Sequence, residues 1–150
     1  MWSFPQHPRG YIRSLRRLRP KLPRQTDKQK SQTPVILVVE DDLSILSAVA
    51  EVLEMEGYTV EMARNGAEGL TVLEKVRPSL ILLDMRMPIM NGWEFAQAMQ
   101  QRDLKVPTLV MTAAQDAKRW SQEIGADGYV SKPFHIEDLL STVEQVLSQY

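Results

Sequence analysis

Leu-Ile-Leu-Leu-Asp, at residues 80–84, is a run of four apolar side chains that ends abruptly in a carboxylate. An apolar run without alternation is typical of a strand that is covered on both faces, as in a parallel sheet. A loop is predicted after Asp84, because Met-Arg-Met-Pro (85–88) and Asn-Gly (91–92) follow. An ionised carboxylate at the tip of a buried strand is costly unless another group binds it. Other polar groups are therefore expected to converge on Asp84.

Composition and charge divide the chain into two parts. The 150 residues are 43% hydrophobic and 25% charged, as in a globular protein, and none is cysteine, which excludes disulfides, thiolate metal sites and a thiol nucleophile. Residues 1–33 carry a net charge of +8 and residues 34–150 a net charge of −9. We predict a basic, disordered arm over 1–33 and one domain over 34–150. No apolar run approaches the roughly 20 residues of a membrane helix, and no secretory signal opens the chain, so a cytoplasmic protein is expected.

The basic arm allows three interpretations. Residues 24–33 contain no apolar side chain and read as a solvated linker, which favours a disordered arm or an over-extended translation start. Within residues 9–24, however, Ile12, Leu15 and Leu18 are spaced three apart with arginines between them. This pattern fits a segment that folds on nucleic acid or on an anionic membrane. An arginine-rich, acid-poor targeting peptide is the third interpretation.

Strand-like and helix-like segments alternate five times after Pro34. The predicted strands cover residues 35–39, 59–63, 80–83, 108–111 and 129–130. The predicted helices cover residues 45–53, 67–76, 93–101, 116–124 and 136–147. Helical crossovers imply an α/β fold with a doubly wound parallel sheet of five strands and five helices. Ligands of such sheets bind at the carboxyl ends of the strands, which is where the functional residues are expected.

Polar residues stand at those ends. The first strand is followed by Glu40-Asp41-Asp42, the third by Asp84, the fourth by Thr112, and the fifth leads to Lys132. Clustered carboxylates repel one another unless a cation lies among them, and oxygen ligands alone suit Mg²⁺. With a lysine and a hydroxyl added, the set fits a phosphoryl group, with Asp84 as the nucleophile. Singly, each residue has an ordinary explanation, and for Asp42 a helix cap is the favoured one.

Four motifs in this order resemble those of the receiver domain of bacterial two-component response regulators. They are Ile-Leu-Val-Val-Glu-Asp-Asp (36–42), Leu-Leu-Asp-Met-Arg-Met-Pro-Ile-Met-Asn-Gly (82–92), Val-Met-Thr-Ala-Ala (110–114) and Gly-Tyr-Val-Ser-Lys-Pro-Phe (128–134). The resemblance covers residues 34–150. It implies a flavodoxin-like fold with strand order 2-1-3-4-5, close to that of a stand-alone chemotaxis regulator.

The resemblance also implies a phosphorylation site with a metal ion. Asp84 would be the phosphoacceptor. The Mg²⁺ ligands would be the side chains of Glu40, Asp41 and Asp84, with Asp41 the more direct ligand of the acidic pair, and the backbone carbonyl of Arg86. The side chain of Arg86 would flank the path of the hydrolytic water, so we expect it to set the lifetime of the phosphoryl group.

Three further residues gain roles from the resemblance. Lys132 would balance the phosphoryl charge, and its bond to Pro133 would be a cis peptide. Thr112 would bind a phosphoryl oxygen, and the rotamer of Tyr129 would follow the movement of Thr112. This pair would report phosphorylation on the face formed by the fourth helix, the fifth strand and the fifth helix.

The expected function is a phosphorylation-controlled signalling switch, not a dedicated enzyme. Its phosphodonor would be a histidine kinase or a phosphotransfer protein, and a downstream protein would bind the switched face. The last predicted helix ends shortly before Tyr150, so we expect no output domain in the chain. A haloacid-dehalogenase-type phosphatase is disfavoured, because Arg86 stands where that class needs a second Asp. A receiver-shaped nucleic-acid-binding protein is the other alternative. Trp120 either packs on the domain or anchors a partner.

Overall fold

The computed structural model describes residues 33–150, and the predicted basic arm, apart from Thr33, lies outside the described residues. Strands and helices alternate through this part of the chain. They are β1 (Val35–Val39), α1 (Leu43–Met55), β2 (Thr59–Ala63), α2 (Gly66–Lys75), β3 (Leu80–Asp84), α3 (Gly92–Gln101), β4 (Thr108–Ala113), α4 (Ala114–Glu123), β5 (Gly128–Lys132) and α5 (Ile136–Leu147). Among these helices, none is both long and apolar enough to cross a membrane.

The strands form one parallel sheet in the order β2-β1-β3-β4-β5. The central strand β3 is buried along its whole length, which matches its unbroken apolar sequence. The order and direction of the strands confirm the predicted flavodoxin-like, doubly wound fold. The carboxyl ends of β1 and β4 therefore flank the carboxyl end of β3.

Two apolar clusters lie on opposite faces of the sheet, because successive side chains of a strand point to opposite sides. On β1, Ile36 and Val38 belong to the cluster that includes buried residues of α1 and α5. Leu37 and Val39 belong to the cluster that includes buried residues of α2, α3 and α4. Helices thus cover both faces, which explains why the inner strands carry no polar alternation.

Three strands run further towards the site than their apolar residues predicted: β3 includes Asp84, and β4 and β5 each end two residues later. β4 continues to Ala113, and β5 continues to Lys132, because Thr112 pairs with Ser131 and Ala113 pairs with Lys132. The sequence-based limits stopped where the apolar residues stopped, whereas backbone pairing continued into the polar residues. Helix α4 accordingly begins at Ala114, two residues before the predicted start at Asp116.

The loop after β3 turns back sharply beside Asp84. The Met90 N–H donates to the Pro88 carbonyl at 2.7 Å, which closes a three-residue turn around Ile89, whose φ is 71°. The Gly92 N–H then donates to the Met85 carbonyl at 3.0 Å. A Cβ at Gly92 would lie 2.7 Å from the Met85 Cα, so only glycine allows this close approach.

Candidate functional site

The carboxyl ends of β1 and β3 bring the predicted acidic residues together. In the parallel register, Val39 lies opposite Leu83, so the next residues, Glu40 and Asp84, are neighbours. One carboxylate oxygen from each of Glu40, Asp41 and Asp84 lies within 4.8 Å of the other two. The acidic residues that the sequence placed at the ends of two different strands therefore form one spatial cluster at this edge of the sheet.

Lys132 joins this cluster as the counter-charge that the sequence predicted, but its closest partner, Glu40, was not predicted. Its Nζ donates to Glu40 Oε1 at 2.6 Å and lies 3.7 Å from Asp84 Oδ1. Glu40 is only 1% exposed, and its other oxygen accepts the Asp42 N–H at 3.1 Å. Lys132 thus bridges the two carboxylates and pairs most closely with Glu40. The two residues are 92 positions apart in the sequence. The only signal for their contact was that both lie at the carboxyl end of a strand in the same parallel sheet.

Asp84 holds its proton more tightly than an ordinary aspartate. Burial raises the pKa of its carboxyl from 3.8 to about 7, and the nearby negative charge of Glu40 adds to this rise. The Lys132 ammonium and a hydrogen bond from the Arg86 N–H, 3.3 Å from Asp84 Oδ1, lower the pKa but only in part. Additional positive charge next to Asp84 would therefore be needed to stabilise its ionised form at neutral pH.

The donor set of the cluster fits Mg²⁺. Glu40, Asp41 and Asp84 offer only carboxylate oxygens, which are the ligands that hard divalent cations prefer. Asp41 is exposed and reachable from solvent, whereas Glu40 and Asp84 are buried. Asp42 is not part of this donor set, because its Oδ1 accepts the N–H groups of Ser44 and Ile45 and caps α1. The favoured explanation of Asp42 is confirmed.

The two predicted switch residues lie on neighbouring strands. Val110 pairs with Tyr129 and Thr112 with Ser131, so the side chains of Thr112 and Tyr129 point to the same face of the sheet. Thr112 is buried, whereas Tyr129 is 40% exposed. Movement of Tyr129 with Thr112 stays a prediction that this placement permits. The Lys132–Pro133 peptide is cis, as the resemblance implies.

Trp120 packs on the domain instead of presenting its ring to solvent. It is 5% exposed, and its ring meets that of Trp93 edge to face, with 4.8 Å between the centroids. The guanidinium carbon of Arg86 lies 5.1 Å from the centroid of Trp120. The interpretation of Trp120 as an exposed anchor for a partner is therefore wrong. The contact between Trp120 and Arg86 was missed, since no sequence pattern relates the two positions.

Comparison with known proteins identifies the family. The family model described as the response regulator receiver domain matches residues 36–144. YkoG of Bacillus subtilis, named an uncharacterized transcriptional regulatory protein, is 38% identical over 116 residues, which are 76% of this chain and 51% of YkoG. The chain spans about half the length of the curated relatives it matches.

Solved structures agree with this match. The chemotaxis protein CheY4 of Vibrio cholerae is 35% identical with a TM-score of 0.70, and the alignment covers 76% of this chain and 98% of CheY4. The response regulator TrrA of Thermotoga maritima, solved in complex with Mg(2+)-BeF, is 30% identical with a TM-score of 0.68, over 76% of this chain and 99% of TrrA. Sequence, fold and the clustered acidic residues agree, and the chain belongs to the receiver domain family of two-component response regulators.

Proposed function

We propose that this chain is a phosphorylation-controlled switch that accepts a phosphoryl group on Asp84 from a histidine kinase or a phosphotransfer protein. Receiver domains interact with partners of these two classes and bind Mg²⁺ at an acidic pocket. The observation that carries the proposal is the cluster of Glu40, Asp41 and Asp84, bridged by Lys132, at the end of the central strand. The reaction would depend on Mg²⁺ and would make the chain a phosphoacceptor, not a dedicated enzyme.

The chemistry assigns the nucleophile to Asp84. An oxygen of its carboxylate attacks the phosphorus of a phosphohistidine, the P–N bond breaks, and the leaving imidazole nitrogen keeps the electron pair and takes up a proton. Glu40, Asp41, Asp84 and the Arg86 carbonyl would hold Mg²⁺, which when bound supplies positive charge next to the phosphoryl oxygens. The Lys132 ammonium, 3.7 Å from Asp84 Oδ1, adds a second positive charge.

The response would begin at Thr112. Its hydroxyl, at the end of the adjacent strand β4, would donate to a phosphoryl oxygen and move towards Asp84. Tyr129 lies on the same face of the sheet and would turn into the space that Thr112 leaves. We therefore propose that a downstream protein binds the face of α4, β5 and α5. Water would later attack the phosphorus, break the bond to Asp84 and release inorganic phosphate.

An apolar groove beside the site supports a protein as the phosphodonor. It lies between α1 and the segment that follows β5, and it is lined by Ile45, Val49, Phe134 and Leu139 together with Lys132. A donor must bring its phosphohistidine into bonding distance of Asp84, so its contact surface must border the site. We assign this groove to the apolar side of the helix that carries the phosphohistidine. Binding of nucleic acid or an anionic membrane by residues 9–24 stays a prediction outside the described residues.

Intact-protein mass spectrometry after incubation with acetyl phosphate and Mg²⁺ tests the phosphoacceptor. Wild-type protein should gain one phosphoryl group, and the Asp84→Asn variant should gain none. Asp42→Asn is the matched control, because it removes a nearby charge from a residue that caps α1 and should leave the adduct unchanged. No adduct on the wild type, or an adduct that persists in Asp84→Asn, would overturn the proposal.

A further inference from the structure

Arg86 connects the proposed phosphoacceptor to helix α4. Its backbone N–H donates to Asp84 Oδ1 at 3.3 Å, so its Cα lies within one arginine side-chain length of the carboxylate. Its guanidinium nevertheless lies over Trp120 of α4, with 5.1 Å between the guanidinium carbon and the ring centroid. This distance is that of a cation–π contact. The same side chain can thus reach two sites and occupies the aromatic one.

Trp120 is fixed from its other sides. Trp93 meets its ring edge to face, and Trp93 Nε1 donates to Glu123 Oε1 at 2.9 Å. A second cation, Arg119, lies 5.9 Å from the Trp120 centroid but is held by carboxylates, at 3.0 Å by Asp116 and at 4.0 Å by Glu123. In residues 33–150, no carboxylate oxygen lies within 4.0 Å of the Arg86 guanidinium. Of the two cations on the ring, Arg86 is the one without a competing ionic bond there.

We propose that Trp120 is a positioning residue that keeps the Arg86 guanidinium off the phosphoryl group of Asp84, so that the ring and the phosphoryl group compete for one cation. The proposal rests on the proposed function, because it needs a phosphoryl group at Asp84. A phosphoryl group carries nearly two negative charges and accepts bidentate hydrogen bonds from arginine. Phosphorylation therefore draws Arg86 away from Trp120, and the ring in turn weakens the hold of Arg86 on the phosphoryl group by the same factor.

This competition acts on the lifetime of the phosphoryl group. Hydrolysis requires water to reach the phosphorus, after which the bond to the Asp84 oxygen breaks and inorganic phosphate leaves. Arg86 is exposed, so its guanidinium approaches the phosphoryl oxygens from the solvent side, where it hinders the entry of water. Removal of the Trp120 ring leaves Arg86 on the phosphoryl group for longer. Loss of the ring should therefore slow the loss of phosphate.

A double-mutant cycle separates this role from a structural one. The loss of the phosphoryl adduct is followed by intact mass after removal of acetyl phosphate, in wild type, Trp120→Leu, Arg86→Ala and the double variant. Trp120→Leu should slow the loss about two- to fivefold, the factor that corresponds to a surface cation–π contact, but only where Arg86 is present. Trp120→Phe, which keeps a ring, should remain near wild type. Trp93→Leu is the control, because it perturbs the same aromatic pair but keeps the Trp120 ring, over which the Arg86 guanidinium lies.

Tryptophan fluorescence gives a second readout that needs no change at Trp120. In a Trp2→Phe/Trp93→Phe background, Trp120 is the only tryptophan, and phosphorylation should change its emission as Arg86 leaves the ring. The change should vanish when Arg86→Ala is added. The inference would be overturned if the adduct forms normally but Trp120→Leu has the same effect with and without Arg86. It would also be overturned if the adduct forms but the Trp120 emission does not change. In either case Asp84 would still be the phosphoacceptor. Absence of any adduct would instead overturn the proposed function.

Discussion

Replacement of Asp84 by Asn should stabilise the metal-free protein above pH 7. Asp84 is 4% exposed, and its pKa in the folded protein, about 7, lies above the ordinary value of 3.8. A raised pKa means that the folded state binds the proton more tightly than the unfolded state does. The stability gained from this proton is complete below about pH 4 and is lost as the pH rises through about 7. The Asn side chain does not ionise, so the variant does not lose stability in this way as the pH rises.

The size of the effect follows from the two pKa values. They differ by roughly 3, and each pKa unit corresponds to about 1.4 kcal/mol, so ionised Asp84 lowers the free energy of unfolding by at most about 4 kcal/mol. The variant also loses the attraction between Asp84 and Lys132, which lie 3.7 Å apart. We expect a net gain of about 1–2 kcal/mol at pH 8, which raises Tm by several degrees.

Urea unfolding followed by circular dichroism, in EDTA at pH 5 and pH 8, measures this difference. Asp42→Asn is the control, because Asn caps helices as well as Asp does and the variant should follow the wild type. Added Mg²⁺ should restore about 2.7 kcal/mol to the wild type at a hundred times its Kd, and less to Asp84→Asn. Equal pH dependence of the free energy of unfolding in wild type and Asp84→Asn would refute the assignment of the cost to Asp84.

Substitutions at Gly92, Ile89 and Asp42 test the local structure around the site by urea unfolding. Gly92→Ala should lower the free energy of unfolding by about 2 kcal/mol or more, because its Cβ would lie 2.7 Å from the Met85 Cα, and a backbone atom cannot give way. Ile89→Gly should raise it by roughly 0.5–1 kcal/mol, because relief of the positive φ outweighs the entropy of glycine, whereas Ile89→Ala should gain nothing. Asp42→Ala should cost about 1 kcal/mol through the lost cap of α1, and Asp42→Asn should not.

Much of the site was predictable because a parallel sheet collects strand ends at one edge. Glu40 and Asp84 directly follow apolar runs, and Lys132 ends the short fifth strand. Because the strands are parallel, these positions lie at the same edge of the sheet. Local chemistry was equally readable at Asp42, where an Asp before an apolar helical pattern predicts a cap. These inferences use only the spacing of apolar residues along the chain and the direction in which the chain runs, and the sequence contains both.

Contacts between side chains at that edge were less predictable. Several carboxylates near the strand ends were possible partners of Lys132. The structure identifies Glu40 as the closest, because Lys132 Nζ lies 2.6 Å from Glu40 Oε1 and 3.7 Å from Asp84 Oδ1. The ends of β4 and β5 were underestimated because backbone pairing continued through polar residues. Trp120 lies in a polar helix whose sequence shows little apolar pattern. Its burial arises from the contact of α4 with Trp93 and Arg86, which only the assembled fold decides.

The pairing of Lys132 with Glu40 also indicates which groups are left to respond to phosphorylation. Glu40 is buried, and a buried carboxylate without its partner is strongly destabilising, so Lys132 stays at the site in either state of Asp84. An ammonium has three donors and can serve Glu40 and a phosphoryl group together without moving. In the proposed transfer, Lys132 would therefore supply preorganised positive charge and would carry no signal. Under the proposed function, the signal would then pass through groups without a fixed ionic partner, and in residues 33–150 Thr112 and Arg86 are two such groups next to Asp84.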